Sequence, residues 1–201
     1  GRFIAVGDNS KGLLGLGHKR EVTTFEEITT LKGMSIKDIA CGNGHVMVLT
    51  EDGQLWGWGW NEFGQIGTGN VEDVLKPIRI LEKDVLDVKC GFQYALALKN
   101  GGKVLVWGLN RCGQLGIGNT GIDTQLTPAS PLSLDDVIID QIEAGTGHSI
   151  AVSREGKAYG WGWNWNYELG LGHKDQVLHP THINVHNHSI KSVTCGGTET
   201  L

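Results

Sequence analysis

The sequence has little proline and little charge. Only 4 of its 201 residues are proline, although 31 are glycine, so the chain lacks the combined proline and glycine enrichment of disordered or collagen-like proteins. Lys and Arg together number 17 against 22 Asp and Glu, which gives a formal net charge of −5. Because nucleic-acid binding depends on clustered cations that neutralise phosphates, we expect no direct contact with DNA or RNA.

Long apolar runs and paired cysteines are also missing. No stretch approaches the roughly 18 apolar residues that cross a bilayer, so no membrane insertion is predicted. The four cysteines, Cys41, Cys90, Cys112 and Cys195, have no CxxC spacing, and three of them recur at one point of an internal repeat. They are expected to be small buried core residues. This favours a reducing compartment, the cytoplasm or the nucleus.

One unit recurs along the chain. The segments IACGNGHVMVLTEDGQLWGWGWNEFGQIGTGN (39–70), VKCGFQYALALKNGGKVLVWGLNRCGQLGIGN (88–119) and IEAGTGHSIAVSREGKAYGWGWNWNYELGLGH (142–173) align without a gap, at steps of 49 and 54 residues. Residues 1–18 match the second half of the unit, and residues 193–201 match its first part. Self-similarity at such a period indicates a repeat architecture.

Each unit contains short alternating runs that favour β-strands. HVMVLT (45–50) and QLWGWG (54–59) are separated by a polar EDG turn, a third run precedes them at 35–40, and KPIRIL (76–81) is the candidate for a fourth. No stretch has helical periodicity. Four short strands about every fifty residues predict the blades of an all-β propeller. We expect one domain over 1–201, made of a half-unit (1–34), units 35–84, 85–137 and 138–188, and a half-unit (189–201).

Three tryptophans share one position of the unit. Trp58, Trp107 and Trp161 are equivalent, with Val6 in the first half-unit. A large apolar residue that recurs once per blade is what packing between neighbouring sheets requires. These tryptophans are therefore predicted to be structural.

The unit C-G-x-x-H-x-x-x-L-T-x-x-G-x-V-Y-x-W-G-x-N-x-x-G-Q-L-G-x-G resembles the repeat of the regulator of chromosome condensation family. Tyr94 and Glu199 replace the histidine in two copies, and Ala144 replaces the cysteine in one. The resemblance implies a seven-bladed propeller, which would need about 350 residues at this repeat length. We expect an excerpt of a longer propeller; a four-bladed ring and pairing with a second copy are the alternatives. The best copy retains Cys41, Gly42, His45, Leu49, Thr50, Gly53, Trp58, Gly59, Asn61, Gly64, Gln65, Gly67 and Gly69.

Repeat propellers act through the loops gathered at their faces, so a non-catalytic protein-binding scaffold is the leading hypothesis. The most variable positions lie between the C-G pair and the histidine position, and a second variable set follows the repeated Trp-Gly, where core packing is the alternative explanation for the tryptophans. Aromatic residues and Arg are enriched in interface hot spots. The partner-binding candidates are Asn43, Phe92, Gln93 and Thr146 in the first set, and Trp60, Glu62, Phe63, Arg111, Trp163, Trp165 and Tyr167 in the second.

No catalytic, cofactor or metal site is predicted. His45 and His148 share one repeat position and are expected to be structural imidazoles that bond to a neighbouring loop. The histidine-rich segment from His179 to His188 suggests zinc, but it falls in the variable connection between units, where alternation would divide its ligands between two faces. The glycine clusters lack the Lys-Ser/Thr of a phosphate-binding loop.

The resemblance also implies two alternative functions. The founding activity of the family is guanine-nucleotide exchange on a small GTPase, which uses acidic and histidine side chains at the C-G-x-x-H turns and a β-wedge insertion. The corresponding turn residues here contain no Asp, Glu or His, and the unit spacing leaves little room for a wedge. Plant ultraviolet-B photoreceptors resemble the same propeller and carry tryptophan in these turns, where this chain has none. The expected partner is another protein, either a small GTPase or a multi-subunit complex.

Overall fold

The computed structural model of the protein describes residues 2–118, 121, 123–186 and 188–201. The residues outside these ranges are Gly1, Asn119, Thr120, Ile122 and Asn187. Gly1 begins one of the segments aligned above, and Asn119 ends another. Between them, the described residues form fourteen β-strands and one 3-10 helix, Thr29–Leu31. No helix within these ranges is long and apolar enough to span a bilayer.

Three four-stranded antiparallel sheets follow one another along the chain, and in each the strands pair in sequence order. A two-stranded sheet, β1 (Ile4–Gly7) and β2 (Val22–Glu27), precedes them. The all-β propeller class is thereby confirmed. The described strands stop short of a closed ring. The first blade contains β3 (Ile36–Cys41), β4 (His45–Thr50), β5 (Leu55–Gly59) and β6 (Val74–Leu81); the second contains β7 (Val85–Cys90), β8 (Tyr94–Lys99), β9 (Lys103–Leu109) and β10 (Thr124–Ala129); the third contains β11 (Ile139–Ala144), β12 (His148–Ser153), β13 (Ala158–Gly162) and β14 (Val177–Ile183).

The repeated tryptophans join neighbouring units, as the sequence predicts. All three indoles are buried, and Trp107 and Trp161 have no exposed surface. Each indole N–H also donates to a backbone carbonyl in the glycine-rich loop of the preceding unit, so one residue supplies both apolar packing and a buried hydrogen bond. The pairs are Trp58 with Leu13 (N···O 2.7 Å), Trp107 with Gln65 (2.9 Å) and Trp161 with Gln114 (2.9 Å).

A second set of contacts runs towards the following unit, from the histidine position of the repeat. The Tyr94 hydroxyl donates to the carbonyls of Gly145 and His148, and Nε2 of His148 lies 3.1 Å from Oγ1 of Thr200. The predicted bond from the imidazole to a neighbouring loop is present at His148, and the same prediction is wrong for His45. His45 is equally buried, but neither of its ring nitrogens has a hydrogen-bond partner among the described residues, and burial lowers its pKa to about 4.

The prediction that the cysteines are buried is wrong for Cys41, which is exposed; Cys90, Cys112 and Cys195 are only partly buried. The first strands of neighbouring blades, β3, β7 and β11, lie side by side. β7 thus contacts a first strand on each side. Accordingly Ile39 in β3 is 48% exposed, whereas its equivalent Val88 in β7 has no exposed surface.

Antiparallel pairing decides which connections share a face. Because consecutive strands reverse direction, the turn between the first and second strands of a blade lies at the same edge as the loop between its third and fourth strands. We call these connections the inner turns and the outer loops, and the face they form the upper face. The inner turns are 42–44, 91–93, 145–147 and 196–199; the described parts of the outer loops are 8–21, 60–73, 110–118 with 121 and 123, and 163–176.

Candidate partner-binding surface

The inner turns are linked by a chain of backbone hydrogen bonds. The N–H of Asn43 donates to the carbonyl of Phe92 at 2.8 Å, the N–H of Phe92 to the carbonyl of Thr146 at 3.3 Å, and the N–H of Thr146 to the carbonyl of Gly197 at 3.2 Å. The variable position of each unit thus bonds to the variable position of the next. Because the backbone is held in this way, side chains can differ at these positions without changing the path of the turns.

The inner turns present their variable side chains to different extents. Asn43 and Thr146 are exposed, and Phe92 is 46% exposed. Gln93 is only 8% exposed, so it offers little surface to a partner. Its neighbour Phe92 is the main apolar group of these turns.

The outer loops are held by a buried asparagine. Oδ1 of Asn61 accepts the N–H of Ile66 at 2.9 Å, while its Nδ2 lies 3.0 Å from the carbonyl of Asn70 and 3.1 Å from that of Glu72. Such a side chain satisfies backbone groups across the whole loop. Asn9, Asn110 and Asn164 make the equivalent Oδ1 contact with the N–H groups of Leu14, Leu115 and Leu169.

In the outer loop of the first blade, two aromatic rings are covered by cations from the neighbouring units. The rings of Trp60 and Phe63 meet edge to face with centroids 5.6 Å apart. Lys11 Nζ lies 4.8 Å from the centroid of Trp60, and the guanidinium of Arg111 lies 5.8 Å from that of Phe63. Both distances are within the range of cation–π attraction. Glu62 is exposed beside them.

The outer loop of the third blade carries more exposed aromatic surface. The rings of Trp163 and Trp165 have centroids 5.1 Å apart, and Trp165 is 60% exposed while Trp163 is half-buried. Tyr167 is 52% exposed, with Lys174 Nζ 5.0 Å from its ring centroid. The eleven candidates therefore belong to one face, although Gln93 is nearly covered. The sequence did not single out Lys11 or Lys174, because a cation over a ring is set by the path of the loops in space, between two loops for Lys11 and within one loop for Lys174.

Tyr167 has a backbone conformation that suits glycine. Its φ is +65°, and the equivalent residues of the other units are Gly12, Gly64 and Gly113, with φ of +74°, +71° and +72°. A bulky residue in the left-handed region is an outlier that costs about 1–3 kcal/mol and is often retained for function. The gapless repeat alignment places Tyr167 opposite these glycines, so the sequence carried this signal.

Replacing Tyr167 with Gly is expected to raise the free energy of unfolding by about 0.5–1 kcal/mol, since relief of left-handed strain outweighs the added chain entropy of glycine. Chemical denaturation of the two proteins would measure the difference. Tyr167→Phe keeps the strain and serves as the control. A Gly variant less stable than the wild type would show that the tyrosine ring contributes more packing than its backbone costs.

The histidine-rich segment from His179 to His188 does not form a metal site within the described residues. His179 and His182 are exposed on β14, and the ring of His182 meets Tyr159 edge to face at 5.8 Å. His186 and His188 follow the strand. No group of three His, Cys, Asp or Glu residues within the described parts of the chain has the geometry to hold a metal ion.

Buried tryptophans between sheets, asparagine-held loops and linked inner turns recur in each blade. A family model described as the RCC1-like domain matches residues 1–201. The chain belongs to the RCC1-like domain family. The structure of Prp20p from Saccharomyces cerevisiae superposes on this RCC1-like chain with a TM-score of 0.81 and 28% identity, covering 98% of this chain and 50% of Prp20p. That protein's structure was described together with its binding properties to Gsp1p and histones.

Two curated relatives show how broad the RCC1-like family is. The ultraviolet-B receptor UVR8 of Arabidopsis thaliana is 33% identical over 100% of this chain and 46% of its own length. The secretion-regulating guanine nucleotide exchange factor of Bos taurus is 43% identical over 36% of this chain and 16% of its own length. The chain spans about half the length of the relatives that match it throughout.

Proposed function

We propose that this RCC1-like chain is a non-catalytic protein-interaction platform whose partner binds the upper face. The observation that carries the proposal is that the variable residues of successive units lie on this face, on a backbone fixed by hydrogen bonds from turn to turn. A rigid frame reduces the entropy lost when a partner binds. Exposed Phe92, Trp165 and Tyr167 supply aromatic anchors of the kind that dominates interfaces.

The partner we envisage is another protein in the cytoplasm or the nucleus, either a small GTPase or a component of a multi-subunit complex. The binding of Gsp1p described for Prp20p supports a protein partner for this fold. The acidic net charge of −5 supports a protein rather than a nucleic acid, because phosphate backbones attract basic surfaces. No reacting side chain is required for such a role.

Guanine-nucleotide exchange is the second candidate, favoured by the exchange factor among the relatives. The first three inner turns oppose it, since Asn43, Phe92, Gln93 and Thr146 provide no acidic or imidazole group; Glu199 lies in the fourth inner turn. Release of labelled nucleotide from a panel of small GTPases, with and without the protein, separates the two functions. Acceleration of release would establish exchange, and binding without acceleration would support the platform.

Ultraviolet sensing is a third candidate, favoured by the similarity to UVR8 and by the close pair of Trp163 and Trp165. No tryptophan occupies an inner turn. Light scattering before and after ultraviolet-B irradiation tests it. We expect no change in mass.

Site-specific photo-crosslinking in cells tests the platform directly. A photoreactive amino acid at Asn43 or Thr146, both exposed on the upper face, is expected to form a covalent adduct with a discrete partner. The same group at Lys103 or Arg154, which lie on the hairpin side of the blades and are also exposed, is the matched control and is expected to form none. Adducts from the hairpin side alone, or from neither face, would contradict the proposal.

A further inference from the structure

The internal repeat allows the third outer loop to be compared, position by position, with the outer loop of the first blade. Alignment places Trp163 where the first blade has Trp60, and places Cys112 where the first half-unit has Lys11. Lys11 covers the ring of Trp60, with Nζ 4.8 Å from its centroid. At the junction before Trp163 the chain has a thiol in place of this ammonium group. The junction is otherwise similar, because the N–H of Gly17 donates to the carbonyl of Leu75 at 2.8 Å and the N–H of the equivalent Gly118 donates to that of Leu178 at 2.9 Å.

The same loop also differs from its repeat equivalents at a buried carboxylate. Glu168 occupies the position of Gln65 and Gln114 in the other complete units and is only 4% exposed. Its oxygens accept the backbone N–H and side-chain N–H of Asn166 at 2.8 and 3.1 Å. No Lys or Arg in the described part of the chain forms an ion pair with it. His148 does not neutralise it at neutral pH, since burial lowers the pKa of that imidazole even though Glu168 acts to raise it.

Two further substitutions increase the aromatic surface here. Trp165 stands where the other complete units have Glu62 and Arg111, and Tyr167 stands at the strained position of Gly64 and Gly113. Aromatic faces carry negative potential and attract cations. In the third outer loop the Tyr167 ring is already faced by Lys174, with Nζ 5.0 Å from its centroid, whereas the Trp163 and Trp165 rings lack, among the described residues, the cation that Lys11 provides over Trp60.

We propose that the surface formed by Trp163 and Trp165 binds a Lys or Arg side chain of the partner protein, in the place that Lys11 occupies over Trp60. This inference rests on the platform function and specifies the chemistry of recognition. The cation would lie against the ring faces. Desolvation by the surrounding partner would strengthen the contact relative to an exposed one.

The test uses the whole chain and a defined probe. The probe is a ten-residue peptide of alternating lysine and glycine, and its acetyl-lysine counterpart removes only the positive charge. Binding is followed by the indole N–H signals of Trp163 and Trp165 in heteronuclear NMR spectra, assigned from the Trp163→Phe and Trp165→Phe variants. We expect the lysine peptide to shift these signals saturably and the acetylated peptide to leave them in place.

Three variants of the protein sharpen the result. Trp165→Ala is expected to weaken the peptide roughly fivefold or more, and Cys112→Lys to do the same by placing a cation from the chain itself over Trp163. Phe25→Ala, at an exposed ring on β2, is the matched control and should have no effect. Conversely, Lys11→Ala should make the indole signal of Trp60 respond to the lysine peptide, which tests the inference even if Cys112→Lys does not fold.

Equal binding of both peptides, or shifts confined to residues outside the third outer loop, would overturn the inference. The inference would also be overturned if a folded Cys112→Lys protein bound the lysine peptide with unchanged affinity and the indole signal of Trp60 in Lys11→Ala did not respond to that peptide. The platform function is tested separately by crosslinking from Asn43 and Thr146. Crosslinks without peptide binding would reject only the cation site, and absence of crosslinks would reject the platform itself.

Discussion

Replacing Trp107 with Ala is expected to lower the free energy of unfolding by about 3–5 kcal/mol. The side chain is completely buried, between the first and second blades, and packs with Ile66 and Leu49 of the first blade. Removal of the ring leaves a cavity at the junction and strands the carbonyl of Gln65, which accepts the indole N–H at 2.9 Å. Equilibrium denaturation monitored by circular dichroism measures the loss.

The matched control for this effect is Trp165→Ala. Trp165 is 60% exposed, so its removal should cost less than about 1 kcal/mol. Trp107→Phe retains most of the apolar volume and loses the N–H donor, and an intermediate loss is expected from it. If Trp107→Ala and Trp165→Ala were equally destabilising, the recurring tryptophan would not be the residue that joins the blades.

Replacing Gly108 with Ala is expected to destabilise the protein by about 2–5 kcal/mol, from backbone strain and from overpacking. Its φ is +104°, and an added Cβ would lie 2.6 Å from the carbonyl oxygen of Gln93 and 2.7 Å from the Cα of Tyr94. Both neighbours are backbone atoms that cannot rotate away. The affected turn includes Phe92, so we also expect weaker partner binding.

Gly101→Ala separates the two contributions. Gly101 also has a positive φ, +84°, but no atom lies within 4 Å of an added Cβ. Only the left-handed strain remains, worth about 1–2 kcal/mol. The difference between the two variants in urea titration gives the cost of the close approach at Gly108. Equal losses would show that the backbone around Gln93 moves aside.

The sequence predicted the blades well because each unit repeats the same local pattern. Runs such as HVMVLT became β4, His45–Thr50, since alternation and turn residues are read within a few positions of the chain. The equivalence of Trp58, Trp107 and Trp161 likewise indicated burial between sheets, which their exposure confirms. Unit boundaries remain a prediction, as does the partner-binding role of the eleven candidate residues.

The predictions that failed or missed a feature depended on which units lie next to each other. Cys41 and Cys90 occupy the same position of the repeat, yet Cys41 is exposed whereas Cys90, whose strand β7 contacts both β3 and β11, is partly buried. Gln93 lies in a turn beside exposed Phe92, yet it is nearly covered. In both cases exposure is set by atoms distant in the chain.

By itself, the sequence determined the repeat, its β-strands, its turns and the residues that each blade must bury, because these follow from side-chain alternation and backbone preference within one unit. Only the tertiary structure decided which variable residues share a face, which rings are covered by Lys11, Arg111 and Lys174, and which ring pair is left open. These features depend on how each loop folds and on how the loops of successive blades meet. The energies of such contacts fall off within a few ångströms, so they are fixed by spatial neighbours rather than by sequence neighbours.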